Sequence, residues 1–189
     1  MKRRSYLSCL MFLLCQGASA NIIQDPDFTP GSSSWTITPT ASGKRAYLLG
    51  GGTALFGSFA STEFESISQN LSTITGQTYA LKFNLIVISN IENEFNAIVG
   101  GKVISSFSHV DGNAYWDNIY QFTASSNSTT LTFSGYNARE VTLLSAVSVD
   151  AVSPVPEPET YALMGVGLLA ITLKLRKKKQ GQSSTALPV

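Results

Sequence analysis

Gln77-Thr78-Tyr79-Ala80-Leu81-Lys82-Phe83-Asn84-Leu85-Ile86-Val87-Ile88 is the stretch that decides the fold. Tyr79, Leu81, Phe83, Leu85 and Val87 fall on one face of an extended chain while Lys82 and Asn84 fall on the other, the period-two pattern of a half-buried strand. Ile86 and Ile88 on the second face indicate burial on both sides near its end. Outward from this strand, Asn21 to Ser153 shows no long stretch with helical spacing and no internal repeat. Short β-rich runs recur instead: Trp35 to Thr38, Ala46 to Leu49, Thr53 to Phe59, Glu65 to Leu71, Ala97 to Val103 and Ile119 to Ala124. Leu131 and Phe133 alternate with Thr130, Thr132 and Ser134, and Leu143, Val147 and Val149 share a parity with Ser145. Pro30-Gly31, Gly50-Gly51-Gly52, Thr75-Gly76, Asp111-Gly112-Asn113 and Ser125-Ser126-Asn127-Ser128 punctuate them, and Gly100-Gly101 reads as a two-residue hairpin. About nine strands predict an all-β fold, a two-sheet antiparallel β-sandwich.

The 189 residues, 43% hydrophobic and 13% charged, hold one domain of ordinary size plus end segments. The near-neutral total hides a sorting by position. Lys2, Arg3, Arg4, Lys174, Arg176, Lys177, Lys178 and Lys179 supply eight of thirteen bases. Between Asn21 and Ser153 five bases face ten acids, a balance of −5. That excludes nucleic-acid binding through a basic face.

The first twenty residues have a basic start, an apolar run from Tyr6 to Leu14 and an Ala18-Ser19-Ala20 ending. This is the pattern of a secretory signal peptide over 1–20, with signal peptidase cutting after Ala20 to leave Asn21 first. Both cysteines, Cys9 and Cys15, lie in that piece, so the cleaved chain has no disulfide and no cysteine metal ligand. At the far end, residues 154–160 carry Pro156-Glu157-Pro158, Tyr161 to Leu173 is almost wholly apolar, and a basic tail follows over 176–189. The apolar part reaches only ~20 Å, short of a ~30 Å hydrocarbon core. Small residues, a snorkelling Lys174 and the basic cluster nonetheless predict a transmembrane helix over 161–175. The order from Val155 to Lys179 resembles the PEP-CTERM sorting signal of Gram-negative bacteria. The resemblance implies export, transient retention in the inner membrane, processing by an exosortase near the Pro-Glu-Pro motif, and display at the cell surface or in a matrix of extracellular polysaccharide.

The middle, 21–153, carries a second resemblance. Asp27-Phe28 and Trp35-Thr36, then Ile67-Ser68-Gln69-Asn70-Leu71 with Gly76-Gln77-Thr78-Tyr79, then Trp116 leading into Tyr120-Gln121-Phe122-Thr123, and a closing Val147-Ser148-Val149, are similar to the galactose-binding-like, carbohydrate-module jelly roll. Such modules often hold a structural calcium next to the opening Phe and before the closing Val-Ser-Val. Thr29 and Ser145-Ala146 stand at those positions here, so the resemblance implies that the acidic ligands are lost and leaves Asp25, Asp27 and Asp150 as substitutes. No cofactor is expected.

Catalytic chemistry is sparse. His109 is the single histidine, and the run Ser105 to Asp111 lacks a nucleophile-elbow pattern, so His109 reads as a solvated loop histidine. Glu92 and Glu94 read as a pair keeping a polar loop soluble rather than as glycosidase acids facing across a cleft. The expectation is a non-enzyme. Sugar recognition asks for aromatic faces beside amides and carboxylates. The loop Asp111 to Asn118 has that composition, with Tyr115, Trp116, Asn113 and Asn118 as glycan-binding candidates. Tyr136 and Arg139, in a second loop, are further ones. Trp116 is a surface platform or an inward-packed strand residue; in the second case Tyr115, of opposite parity, becomes the platform. The function expected is a glycan-associating module linked to extracellular polysaccharide; the alternative is a structural matrix or adhesion protein with no discrete sugar site.

Overall fold

Alternation of buried and open side chains builds ten strands among the described residues. They are β1 (Thr36–Thr38), β2 (Tyr47–Gly50), β3 (Thr53–Phe56), β4 (Glu65–Ser72), β5 (Thr78–Val87), β6 (Asn93–Val99), β7 (Lys102–Ser108), β8 (Ala114–Thr123), β9 (Ser128–Asn137) and β10 (Thr142–Ala151), followed by helix α1 (Pro158–Gly181). The computed structural model describes residues 20–57, 61–88, 92–110, 113–152 and 158–181, with side chains of the helix from 162 to 176. The signal segment 1–19, Asp111-Gly112 and Pro156-Glu157 lie outside the described residues.

The strands form two antiparallel five-stranded sheets, ordered β1-β4-β9-β6-β7 and β2-β3-β10-β5-β8. The β-sandwich expected from the sequence is the fold. β5 buries Tyr79, Leu81, Phe83, Leu85 and Val87 and pairs along its whole length with β8, from Thr78↔Thr123 to Val87↔Ala114. β10 flanks its other side. Between the sheets Phe83 meets Phe133 edge-on at 5.3 Å and lies 6.4 Å from Phe95 and 6.1 Å from Tyr120, by ring centroids. Trp35 is buried against Phe28 at 5.1 Å, with its indole N–H donating to the Asp25 carbonyl. Every member of this core lies between Ile23 and Val149. Residues 20–152 therefore carry a complete interior of their own and fold as a unit without the helix.

Two backbone devices set the outer faces. At Gly100-Gly101 both residues have positive φ, 56° and 80°, as a two-residue hairpin between β6 and β7 requires. In β10 the pairing with β5 shifts between Ser145 and Ser148, and Ala146 sits at φ 52°. This β-bulge corrects the parity read from the sequence: Val147 and Val149 face inward with Leu144, while Leu143 and Ser145 turn to the open face, because one inserted residue inverts the alternation. Three further readings change. β8 begins at Ala114 rather than Ile119, so Tyr115 to Asn118 is strand and not loop. Tyr136 and Asn137 belong to β9, and Glu94 lies on β6, since each completes an alternating run whose apolar partners fix it in the sheet.

The start of the described chain is tied to the end of the sandwich. Val149 N–H donates to the Asn21 side-chain oxygen at 2.9 Å, and Ile22 N–H donates to the Val149 carbonyl at 2.9 Å.

Helix α1 forms a second unit. It runs beyond the 161–175 expected for a transmembrane segment, and among the described residues no helix is long and apolar enough to cross a membrane. Lys174 and Arg176 follow the apolar part closely on one side and Glu159 precedes it on the other, so a longer window gains charge as fast as length.

One buried acid stands apart. Glu65 is fully buried on the inner face of β4. One carboxyl oxygen accepts from Gly57 N–H, and the other, Oε2, has no hydrogen-bond partner among the described residues. Its register neighbour across β9 is Gly135, where a Cβ would lie 2.7 Å from the Glu94 carbonyl oxygen, so only glycine lets the strands approach. Desolvation pushes the Glu65 carboxyl above its ordinary value, against the Gly57 hydrogen bond.

Two outcomes follow for stability. Phe83→Ala should cost ~3–5 kcal/mol through lost burial and a cavity, against ~0.5 kcal/mol for exposed Lys82→Ala, measured by chemical denaturation. For Glu65, the folded state holds its proton to higher pH than the unfolded chain. Its contribution is therefore full below the ordinary carboxylate range and is lost as pH rises through the raised folded value. Glu65→Gln should flatten that fall in a series of denaturation curves from acid to neutral pH.

Candidate binding face

Burying one face of β5 forces Asn84 and Ile86 onto the other, and register carries the consequence across all five strands. Tyr47 pairs with Leu55, Leu55 with Leu143, Leu143 with Ile86 and Ile86 with Tyr115. The result is one row on the open face: three half-buried aliphatic side chains between two exposed tyrosines, Tyr47 at 49% and Tyr115 at 55%. Strand spacing puts the ends of such a row ~19 Å apart. Beside it runs a polar row, Thr53, Ser145, Asn84 and Asp117, in the same register. Tyr115 donates its hydroxyl to Asp117 Oδ1 at 2.6 Å, and that bond raises the phenol above its ordinary pKa. Arg45 stands 5.7 Å over the Tyr47 ring. An apolar floor with aromatic ends and an adjacent line of hydroxyl, amide and carboxylate groups matches a ligand with C–H faces and a hydroxyl rim.

The residues singled out from sequence separate into three places. Tyr115 is on this face. Trp116, half-buried, turns the other way and lies 5.1 Å from Phe107. Asn118 is buried beside it, donating to the Trp116 carbonyl, and Asn113 is exposed just before β8. Tyr136 lies on the other sheet, edge-on to Phe64 at 5.1 Å. Arg139 is exposed and pairs with Glu92 at 3.5 Å. The sequence reading missed Tyr47, Leu55, Asn84, Ile86 and Leu143. The excess of isoleucine on the second face of β5 was the visible signal for Ile86; Leu143 was hidden by the bulge.

Of the acidic residues left as calcium ligands, Asp25 and Asp150 are engaged locally. Burial pushes the Asp25 carboxyl up, but hydrogen bonds from Ser32 and Thr29 outweigh it and hold it below its ordinary value. Asp150 accepts from Ser148 at 3.1 Å. Among the described residues no three His, Cys, Asp or Glu side chains gather as a metal site. His109 is exposed, with φ 52°.

Residues 154–178 match the family described as the PEP-CTERM protein-sorting motif. The chain carries this sorting signal. The PEP-CTERM match implies export of the sandwich that precedes it. No curated protein matches the chain. Among solved structures the chain is similar to the enzymatically active domain of tailspike protein 4 from bacteriophage CBA120, at 8% identity and TM-score 0.50, covering 70% of this chain and 21% of that one. It thus spans about a fifth of the tailspike chain, and the likeness is one of fold. It is also similar to the N-terminal cellulose-binding domain of Cellulomonas fimi β-1,4-glucanase C, at 18% identity and TM-score 0.45, covering 72% and 100% of the two chains. A CBM61 module solved with β-1,4-galactotriose is a third, at 12% identity and TM-score 0.47, covering 71% and 100%.

With Trp116 packed inward on Phe107 and Tyr115 open, Trp116→Ala should lower the melting temperature by several degrees, as removal of a packed aromatic does. Tyr115→Ala should leave it within about 2 °C. Differential scanning calorimetry of the two variants checks this.

Proposed function

We propose that this protein is an exported, non-catalytic glycan-associating module, with the Tyr47-Leu55-Leu143-Ile86-Tyr115 row as its binding face. The single observation that carries the reading is that row, held in register across five strands and lined by Thr53, Ser145, Asn84 and Asp117. A sugar ring stacks on a tyrosine through its C–H face while its hydroxyls meet the polar row. The face is an open sheet surface, suited to a chain lying across it rather than to a monosaccharide enclosed in a pocket. Binding of this kind is weak, on the order of 0.1–1 mM. Many copies on one surface or matrix make it effective through multivalency.

In this reading the sorting signal places the module. Signal peptidase releases Asn21, the C-terminal helix with its basic cluster holds the chain at the inner membrane, and an exosortase acts near Pro156-Glu157-Pro158. The module then meets extracellular polysaccharide at the cell surface.

Titration calorimetry of residues 21–152 against the producer's own polysaccharide tests the binding half. Tyr115→Ala and Tyr47→Ala should each weaken binding about three- to tenfold, and Tyr136→Ala should leave it unchanged. Absence of binding by the unaltered unit would favour a structural matrix protein instead. For the sorting half, replacing Pro156-Glu157-Pro158 by three alanines should leave the full chain in the inner-membrane fraction; unchanged arrival outside the cell would refute the exosortase step.

A further inference from the structure

The four edge strands of the sandwich are not alike. β1 has three residues and β2 four, with a register shift between Leu48 and Gly50. β7 carries Lys102 at its start and a register shift in its pairing with β6. Short length, a terminal lysine and bulges are the usual means of blunting a sheet edge. β8 has none of them. It runs ten residues, Ala114 to Thr123, in unbroken register with β5, without proline or lysine and with Asp117 as its one charge. Ala124 N–H donates to the Gln77 carbonyl at 3.0 Å, so by strand alternation the even-numbered residues of β8 turn their N–H and C=O groups to β5. Those of Tyr115, Asp117, Ile119, Gln121 and Thr123 point to the open edge. Ile119 is 67% exposed there, in the middle of the strand.

We propose that the β8 edge is an interface for a second copy of this chain, pairing antiparallel about a two-fold axis at Ile119. The register is chosen by chemistry. With Ile119 opposite Ile119, Tyr115 faces Thr123 and Asp117 faces Gln121, so every outward backbone group gains a partner and no like charges meet. A two-residue slip toward the N-terminus sets Asp117 against Asp117, which costs Coulomb energy. The same slip toward the C-terminus centres the pair on Gln121 and leaves Tyr115 and Asp117 beyond the paired strands. In the Ile119 register the inner side of the seam sets Trp116 opposite Phe122 and Asn118 opposite Tyr120, adding aromatic pairs next to the core. Such an interface is isologous and closes at two copies. The two outer faces join into one ten-stranded surface with both Tyr115 rings near the seam.

Sedimentation velocity of residues 21–152 across about 1–200 µM tests the interface without reference to any glycan. A concentration-dependent dimer is expected, and Ile119→Lys, which sets two cations together at an exposed position, should move the midpoint at least tenfold upward while the circular dichroism spectrum stays the same. Residues 21–152 contain no cysteine, so Ile119→Cys reports the register: a short bis-maleimide should link two copies through it, and should not link Thr38→Cys on the opposite sheet. A monomer throughout the range, a dimer insensitive to Ile119→Lys, or cross-linking equal at positions 119 and 38 would each overturn the proposal.

Discussion

Burial of Leu81, Phe83, Leu85 and Val87 against Phe95 and Phe133 fixes the register of β5, and the rest of the sandwich takes its register from that strand. β5 is paired on both sides, with β8 along ten residues and with β10 along nearly as many. A slip of one residue would turn every one of these apolar groups to solvent. The opposite face is then no longer free to vary. Asn84 and Ile86 must be outward, and their neighbours on β8 and β10 must be outward with them.

The bulge at Ala146 is the second constraint, and it acts on both faces at once. Without the inserted residue, Val147 and Val149 would share a side with Leu143, and either the interior would lose two valines or the open face would lose its central leucine. The left-handed backbone at Ala146 lets both requirements hold. A strained alanine in a central strand thus has a consequence outside the core: it completes the aliphatic row between Tyr47 and Tyr115. Glu65 is the contrasting case, a buried acid with one oxygen unpartnered among the described residues. Its inward position follows from the parity of β4, in which Ile67, Gln69 and Leu71 are also buried.

Much of this was legible in the sequence, for identifiable reasons. The strand from Gln77 to Ile88 declares itself because its alternation is long and its inner face uniformly apolar. Gly100-Gly101 declares a hairpin because both residues adopt positive φ. The sorting signal is legible because its three parts are contiguous. What sequence could not give is pairing between distant strands. Tyr47, Leu55, Leu143, Ile86 and Tyr115 are neighbours only through four separate registers, none of them encoded locally. The bulge escaped for a similar reason, since Ala146 carries no turn chemistry and looks like any strand residue. Tyr115 and Trp116 were correctly placed on opposite sides of one strand by parity, yet which side faced the core depended on the pairing of Leu85 with Trp116. The helix was legible as a helix because its apolar run is continuous, and charged residues on both sides keep that run short.

The central claim is that an outward aliphatic row, set by the β5 register and the β10 bulge, is a binding face. Methyl NMR of residues 21–152, titrated with oligosaccharides cut from the producer's extracellular polysaccharide, tests it most directly. The account predicts saturable shifts at the methyl groups of Leu55, Ile86 and Leu143, with Leu81, Leu85 and Leu144 unmoved. Shifts confined to Val103, Ile98 or other methyl groups of the opposite sheet, with the row silent, would contradict it.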